Sequence, residues 1–173
     1  LEAAAWWGGR RTRRPLLEAG PFDRKDLRTL YEVEARSLLE AAGVPVPRGL
    51  VVPAVDAVEA CGSLTGRVVV KATGMAHKTE AGRVAVGLAG AAEVGAALVG
   101  MGLPDDAPVL VEDFVDGAVV EMLVSVRREP PVGWLLTLGI GGTLVELLGD
   151  TTSLLLPVDA GEVIVALRGL AGW

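Results

Sequence analysis

Short apolar runs, each closed within about eight residues by glycine, proline or a charge, constrain this chain more than any other feature. Arg67–Ala72 (RVVVKA), Arg83–Leu88 (RVAVGL) and Val109–Val115 (VLVEDFV) are the clearest of them. Runs of this length are buried strands, and they leave no stretch of roughly 18 uncharged apolar residues that would span a bilayer. Leu16–Leu30, for instance, carries Glu18, Asp23, Arg24, Lys25, Asp26 and Arg28. The 173 residues, 51% hydrophobic and 22% charged, suit one folded domain or two small lobes.

Between the strands the spacing predicts helices. One follows Asp26, a candidate cap, and stops at Gly43. Val55–Gly62 reads as a short helix and Ala91–Met101 as a longer one, and Glu162–Leu170 opens a last helix. Further strands are expected at Leu50–Pro53, Val119–Val126, Gly133–Leu138, Leu144–Leu148 and Ser153–Leu156. The Gly149-Asp150 pair makes a tight turn between the last two. The order is α+β, with antiparallel pairing in the second half. Residues 1–25 read as a linker or the tail of a missing upstream domain, and Leu1 in place of Met points to a fragment.

A net charge of −6 argues against nonspecific nucleic-acid binding. The one basic run, Arg10, Arg11, Arg13 and Arg14, reads as a solvated linker, with a phosphate or partner contact as the alternative. Cys61 has no second thiol to pair with, so the default setting is reducing and cytoplasmic. It reads as a core or surface thiol rather than a nucleophile.

Lysine is scarce. Of 16 basic side chains only Lys25, Lys71 and Lys78 are lysines, and two of them bracket the single histidine, His77. An ammonium inside VVVKA needs an anion or a route to water, because an unpaired buried charge is costly. Lys71 is therefore either a site residue or a strand-end side chain that snorkels outward. The loop Thr73–Gly82 holds two glycines and can offer backbone N–H groups to phosphate, although it contains no GxxxxGK[ST] sequence. His77 is either a phosphoryl-accepting nucleophile or an ordinary surface residue.

The phrases SLLEAAGVPVPRGLVV, VVVKATGMAHKTEAGRVAVGL, VLVEDFVDGAVVEMLVSVRREPPVGWLLTLGIGGTLVELLGD and TTSLLLPV stand in one order from Ser37 to Val158, bracketing the stretch Leu38–Pro157. This stretch resembles the ATP-grasp domain of NDP-forming acyl-CoA synthetases, the ADP-forming acetyl-CoA synthetases and relatives of succinyl-CoA synthetase. The resemblance implies an ATP-grasp fold of two lobes with nucleotide between them: residues 26–110 with the leading helix, and residues 111–173, truncated at the C-terminal end. It places Lys71 on the nucleotide phosphates, followed by His77 as phosphoryl carrier and Lys78 beside it. Glu112, Asp113, Phe114 and Val115 match the hinge that lines the adenine pocket, and Glu121 the acidic residue near ribose or metal. Gly139, Gly141 and Gly142 match the glycine-rich turn, and Glu146 and Asp150 the magnesium ligands. The chain departs from the family pattern at Arg83, Glu129, Val132 and Leu154–Leu156.

The implied reaction converts acyl-CoA, ADP and phosphate to acid, CoA and ATP. The implied cofactors are ATP or ADP with Mg²⁺. The implied partners are CoA-binding and CoA-ligase domains, in the same native chain or on a separate alpha subunit, and through them a small acid and CoA. Neither nucleic acid nor membrane is expected as a partner. A nucleotide-sensing domain without turnover and a purely structural relic are the alternatives.

Overall fold

The computed structural model describes residues 27–73, 82–142 and 149–172. The architecture is α+β, as expected, and the chain divides into two compact units, of which one is Arg28–Gly117 and the other includes Ala118–Trp173.

The first unit begins with α1, Glu32–Ala41. The helix starts later than a cap at Asp26 would place it, and Asp26 itself lies outside the described residues. The cause is local: the Glu34 carboxylate reaches back to accept the Tyr31 N–H at 3.3 Å, so the first turn is closed there. Gly43 ends it as expected, with φ of 79° and Val44 N–H donating to Leu39 O. β1 (Gly49–Pro53) then runs through one 3₁₀ turn into α2 (Ala57–Cys61). β2 (Val68–Ala72), β3 (Val84–Leu88), α3 (Ala91–Met101) and β4 (Pro108–Asp113) complete the unit.

The four strands form one sheet in the order β1-β4-β2-β3, with every neighbouring pair antiparallel. The sequence reading sets a lobe boundary after residue 110; β4 runs through that position and lies whole inside this sheet. The register pairs Val69 with Glu112 and Lys71 with Leu110. Because side chains alternate along a strand, these four share one face, and Val68, Val70, Val109 and Val111 share the other. The second face is the core, closed by Ala57, Ala60 and Cys61 of α2 and Val94 and Met101 of α3. Each fully buried valine there contributes about 1.5–2 kcal/mol.

In the second unit β5 (Met122–Glu129) and β6 (Gly133–Ile140) form a hairpin, and β7 (Thr151–Leu155) pairs with β6. β5 starts three residues later than the apolar pattern suggests, because pairing begins where Met122 faces Ile140; Val119 and Val120 lie outside the ladder and are exposed. Leu136, Leu138 and Leu154 form a smaller core against Val163, Ala166 and Leu167 of α4 (Ala160–Arg168). That helix starts at Ala160 rather than Glu162, since Asp159 accepts the Glu162 N–H at 2.9 Å while Glu162 accepts the Asp159 N–H at 3.0 Å. The strand expected at Leu144–Leu148 lies outside the described residues. Among the described residues no helix is long and apolar enough to cross a membrane.

Candidate functional site

Lys71 lies on the sheet face opposite the valine core, and its ammonium is held by two carboxylates. Nζ is 2.5 Å from Glu32 Oε1 and 2.6 Å from Glu112 Oε1. The other Glu112 oxygen, Oε2, is 2.7 Å from Arg36 Nη1. Glu32 and Arg36 are one turn apart on α1, so a single helix supplies two of these four alternating charges. Glu112 is buried at 5% exposure, which makes these partners obligatory. Burial pulls the Lys71 ammonium toward the neutral form, but the hydrogen bonds it donates to Glu112 and Glu32, together with their negative charge, outweigh it, and its pKa is held above the ordinary lysine value. Lys71 is therefore a fixed cation throughout the neutral range.

Glycine makes room for this arrangement. A Cβ at Gly49 would stand 2.7 Å from Glu112 Cβ and 3.1 Å from Val111 O. No other residue fits there without displacing the acid.

The end of the strand carrying Lys71 is tied to its neighbours. Thr73 donates from both N and Oγ1 to Pro108 O, at 3.0 and 2.9 Å. On the return, Arg83 O accepts the Ala72 N–H at 2.9 Å. The two posts between which residues 74–81 run are thus set by β2, β3 and β4. His77 and Lys78 lie outside the described residues.

After Glu112 the segment expected to be the hinge is fixed by backbone bonds. Asp113 N–H donates to Arg48 O at 2.8 Å and Phe114 N–H to Arg67 O at 2.9 Å. The Arg67 guanidinium lies 4.8 Å from the centre of the Phe114 ring and 2.5 Å from Asp116. That guanidinium holds the Asp116 carboxyl below the usual carboxylate range. Asp113 itself turns away from Lys71, its Oδ1 facing Thr65 N at 3.4 Å. Val115 is exposed.

In the second unit the end of β6 gathers five of the predicted residues. Gly141 N–H donates to Glu121 O at 2.7 Å, and a Cβ on Gly142 would lie 3.0 Å from Glu121 Oε2. A Cβ on Gly139 would meet Thr151 Cγ2 at 2.7 Å and Asp150 O at 3.0 Å. Asp150 itself accepts two backbone N–H groups, from Ala171 at 3.1 Å and Gly172 at 2.9 Å. Each of its oxygens keeps a second lone pair, so the donor chemistry still suits a hard, oxygen-seeking cation. Glu146 lies outside the described residues, and among the described ones no three His, Cys, Asp or Glu side chains form a metal cluster.

Sequence reasoning missed Glu32 and Arg36. The available signal was an acid and a base at i and i+4 on the helix preceding a strand whose lysine lacked an anion. It also missed the backbone donors at Ala171 and Gly172, which no side-chain pattern marks.

Comparison with known proteins gives this geometry a family. A model of the ATP-grasp domain matches residues 22–170. The chain is 31% identical over 155 residues, 82% of its length, to an ADP-forming acetate–CoA ligase of Methanocaldococcus jannaschii. It is 31% identical over 153 residues, 80% of its length, to an ADP-forming 4-hydroxybutyrate–CoA ligase of Nitrosopumilus maritimus. It spans 22% of each of these relatives. Among solved structures, acetyl-coenzyme A synthetase 1 of Ca. Korarchaeum cryptofilum superposes with a TM-score of 0.72 at 25% identity, over 83% of this chain and 67% of that one. That crystal holds coenzyme A and Ca-AMPCP; another crystal of the same enzyme, with a TM-score of 0.67 at 25% identity over 82% of this chain and 63% of that one, holds coenzyme A and Mg-AMPPCP, with its phosphohistidine segment pointing towards the nucleotide site. With the domain match running through the sheets of both compact units, this chain belongs to the ATP-grasp domain family.

Proposed function

We propose that the chain is the nucleotide-binding part of an NDP-forming acyl-CoA synthetase, which converts acyl-CoA, ADP and phosphate to acid, CoA and ATP. The observation that carries this reading is Lys71: a partly buried ammonium, held charged by two carboxylates, at the end of the strand that feeds the His77 loop. Such a cation is suited to phosphate oxygens, and phosphoryl transfer depends mainly on positioning and charge neutralisation.

In this reading His77 carries the phosphoryl group. Its imidazole nitrogen attacks the γ-phosphorus of ATP, the bond to the bridging oxygen breaks, and ADP leaves with the electron pair. In the opposite direction the terminal oxygen of ADP attacks phosphohistidine and the imidazole leaves. Lys71 and Lys78 neutralise the phosphates, and the hinge Glu112–Val115 lines the adenine pocket. Glu146 and Asp150 would hold Mg²⁺, with Glu121 near it or the ribose; the ion, when bound, screens charge on the phosphate oxygens. Acyl and CoA chemistry belongs to CoA-binding and CoA-ligase domains, fused or on a separate subunit. The lone buried thiol, Cys61, accords with a reducing, cytoplasmic setting.

The test is transfer of label from γ-labelled ATP in the presence of those partner domains. An acid-labile, alkali-stable label that disappears in His77→Asn is expected. ATP turnover to acyl-CoA without any label on His77 contradicts the relay.

A further inference from the structure

Each sheet ends in two edge strands, whose outer N–H and C=O groups invite another strand unless something blunts them. β1 is five residues long and ends at Pro53. β3 is interrupted by Gly87 at a φ of 70°, and its register with β2 shifts. β7 is five residues long and carries the polar Thr151, Thr152 and Ser153. β5 has none of these protections. It is eight residues long, its register with β6 is unbroken, and among the described residues no strand pairs with its outer side. Gly141 N–H donates to Glu121 O, so by alternation Leu123, Ser125 and Arg127 also turn their backbone groups toward β6. Those of Met122, Val124 and Val126 point outward. The side chains of these three share a face with Leu136 and Leu138, which are buried against α4, yet Val124 and Val126 are 63% and 54% exposed. The small core of this unit therefore runs out to β5 and ends there uncovered.

We propose that β5 pairs antiparallel with β5 of a second copy of this chain, about a two-fold axis at Val124, and joins two three-stranded sheets into one. Residue types select this register. With Val124 facing its own counterpart, Met122 faces the second copy's Val126, and each facing pair exchanges both backbone hydrogen bonds. The apolar strip of one core then continues into the other. On the opposite face Glu121 stands across from the second copy's Arg127, and Leu123 across from its Ser125, at the closely spaced positions where side chains meet. Glu121 is exposed, and Arg127, which reaches Glu129 at 3.4 Å, has a side chain 62% exposed, so both can turn to the second copy. Sliding the strands by two residues destroys the match: in one direction Glu121 meets Glu129, in the other Ser125. The contact is self-complementary and closes at two copies.

The experiment is sedimentation equilibrium of the purified chain over a wide range of concentration, for the wild type, Val124→Lys, Arg127→Glu and the double variant Glu121→Arg with Arg127→Glu. One strand pair is a small contact, so a reversible dimer with a dissociation constant on the order of 10 µM is expected, its average mass rising toward twice 17.9 kDa. Val124→Lys sets two ammonium groups face to face on the axis and is expected to weaken the dimer about tenfold or more. Arg127→Glu sets like charges opposite each other and is expected to weaken it roughly threefold to tenfold, and the double variant, which restores the opposite charges, to recover most of that loss. Thermal unfolding checks that each variant is folded; Arg127→Glu changes an exposed side chain and keeps the test open if Val124→Lys does not fold. A wild type that stays monomeric throughout, a dimer indifferent to both single substitutions, or assembly that continues past two copies overturns the proposal. A double variant no tighter than Arg127→Glu overturns the register and with it the axis at Val124.

Discussion

A lysine inside an apolar strand raises the question of which anions it meets, and Glu112 and Glu32 answer it at 2.6 and 2.5 Å. Part of this was readable from residue types: Lys71 stood out in an arginine-rich chain, and Glu112 ended a buried strand. The partners were not, because Glu32 and Arg36 lie 39 and 76 positions from the atoms they bind, and such separations leave no periodic trace. The buried acid makes Arg36 important for folding. Arg36→Met is expected to cost roughly 2–4 kcal/mol in urea unfolding, since it leaves Glu112 with less compensation; a loss under about 0.5 kcal/mol would contradict that role. Lys71 also sets an alkaline limit. Its pKa is raised on folding, so its contribution is complete below the ordinary lysine value of 10.5 and fades as pH climbs above it through the raised value. Stability of the wild type should accordingly fall more steeply above that pH than stability of Lys71→Met, measured by denaturant unfolding across the alkaline range.

At the level of elements, apolar spacing and the Gly43 stop carried most of the information, and the starts of elements carried least. α1 and α4 both begin where an acidic side chain closes the first turn, Glu34 onto Tyr31 N–H and Glu162 with Asp159. Apolar periodicity does not report those bonds. β5 starts later for a different reason: Val119 and Val120 look like strand residues, but the hairpin register offers them no partner among the described residues. Asp159→Ala removes an acceptor from the start of α4 and is expected to cost about 1 kcal/mol, read from the urea midpoint. Gly49→Ala tests the close approach of β1 to β4. Its Cβ would meet Glu112 Cβ at 2.7 Å, and a cost of about 1–3 kcal/mol is expected. A neutral result there would mean that the strands separate freely and that Glu112 is not held in place from β1.

Across the whole molecule, the α+β class and the order of elements were legible because each short run is bounded by glycine, proline or charge. Family membership came from the order of several phrases rather than from any one of them, and the domain match over residues 22–170 agrees with it. The relatives are ADP-forming acid–CoA ligases, of which this chain spans 22%. In the function proposed for it, this chain holds nucleotide phosphates at Lys71. Isothermal titration of Mg·ADP into the wild type and Lys71→Met measures that directly. The account predicts saturable binding to the wild type and a loss of roughly 10- to 100-fold in the variant, the worth of one charge-assisted contact. Equal affinity in the two proteins would contradict it.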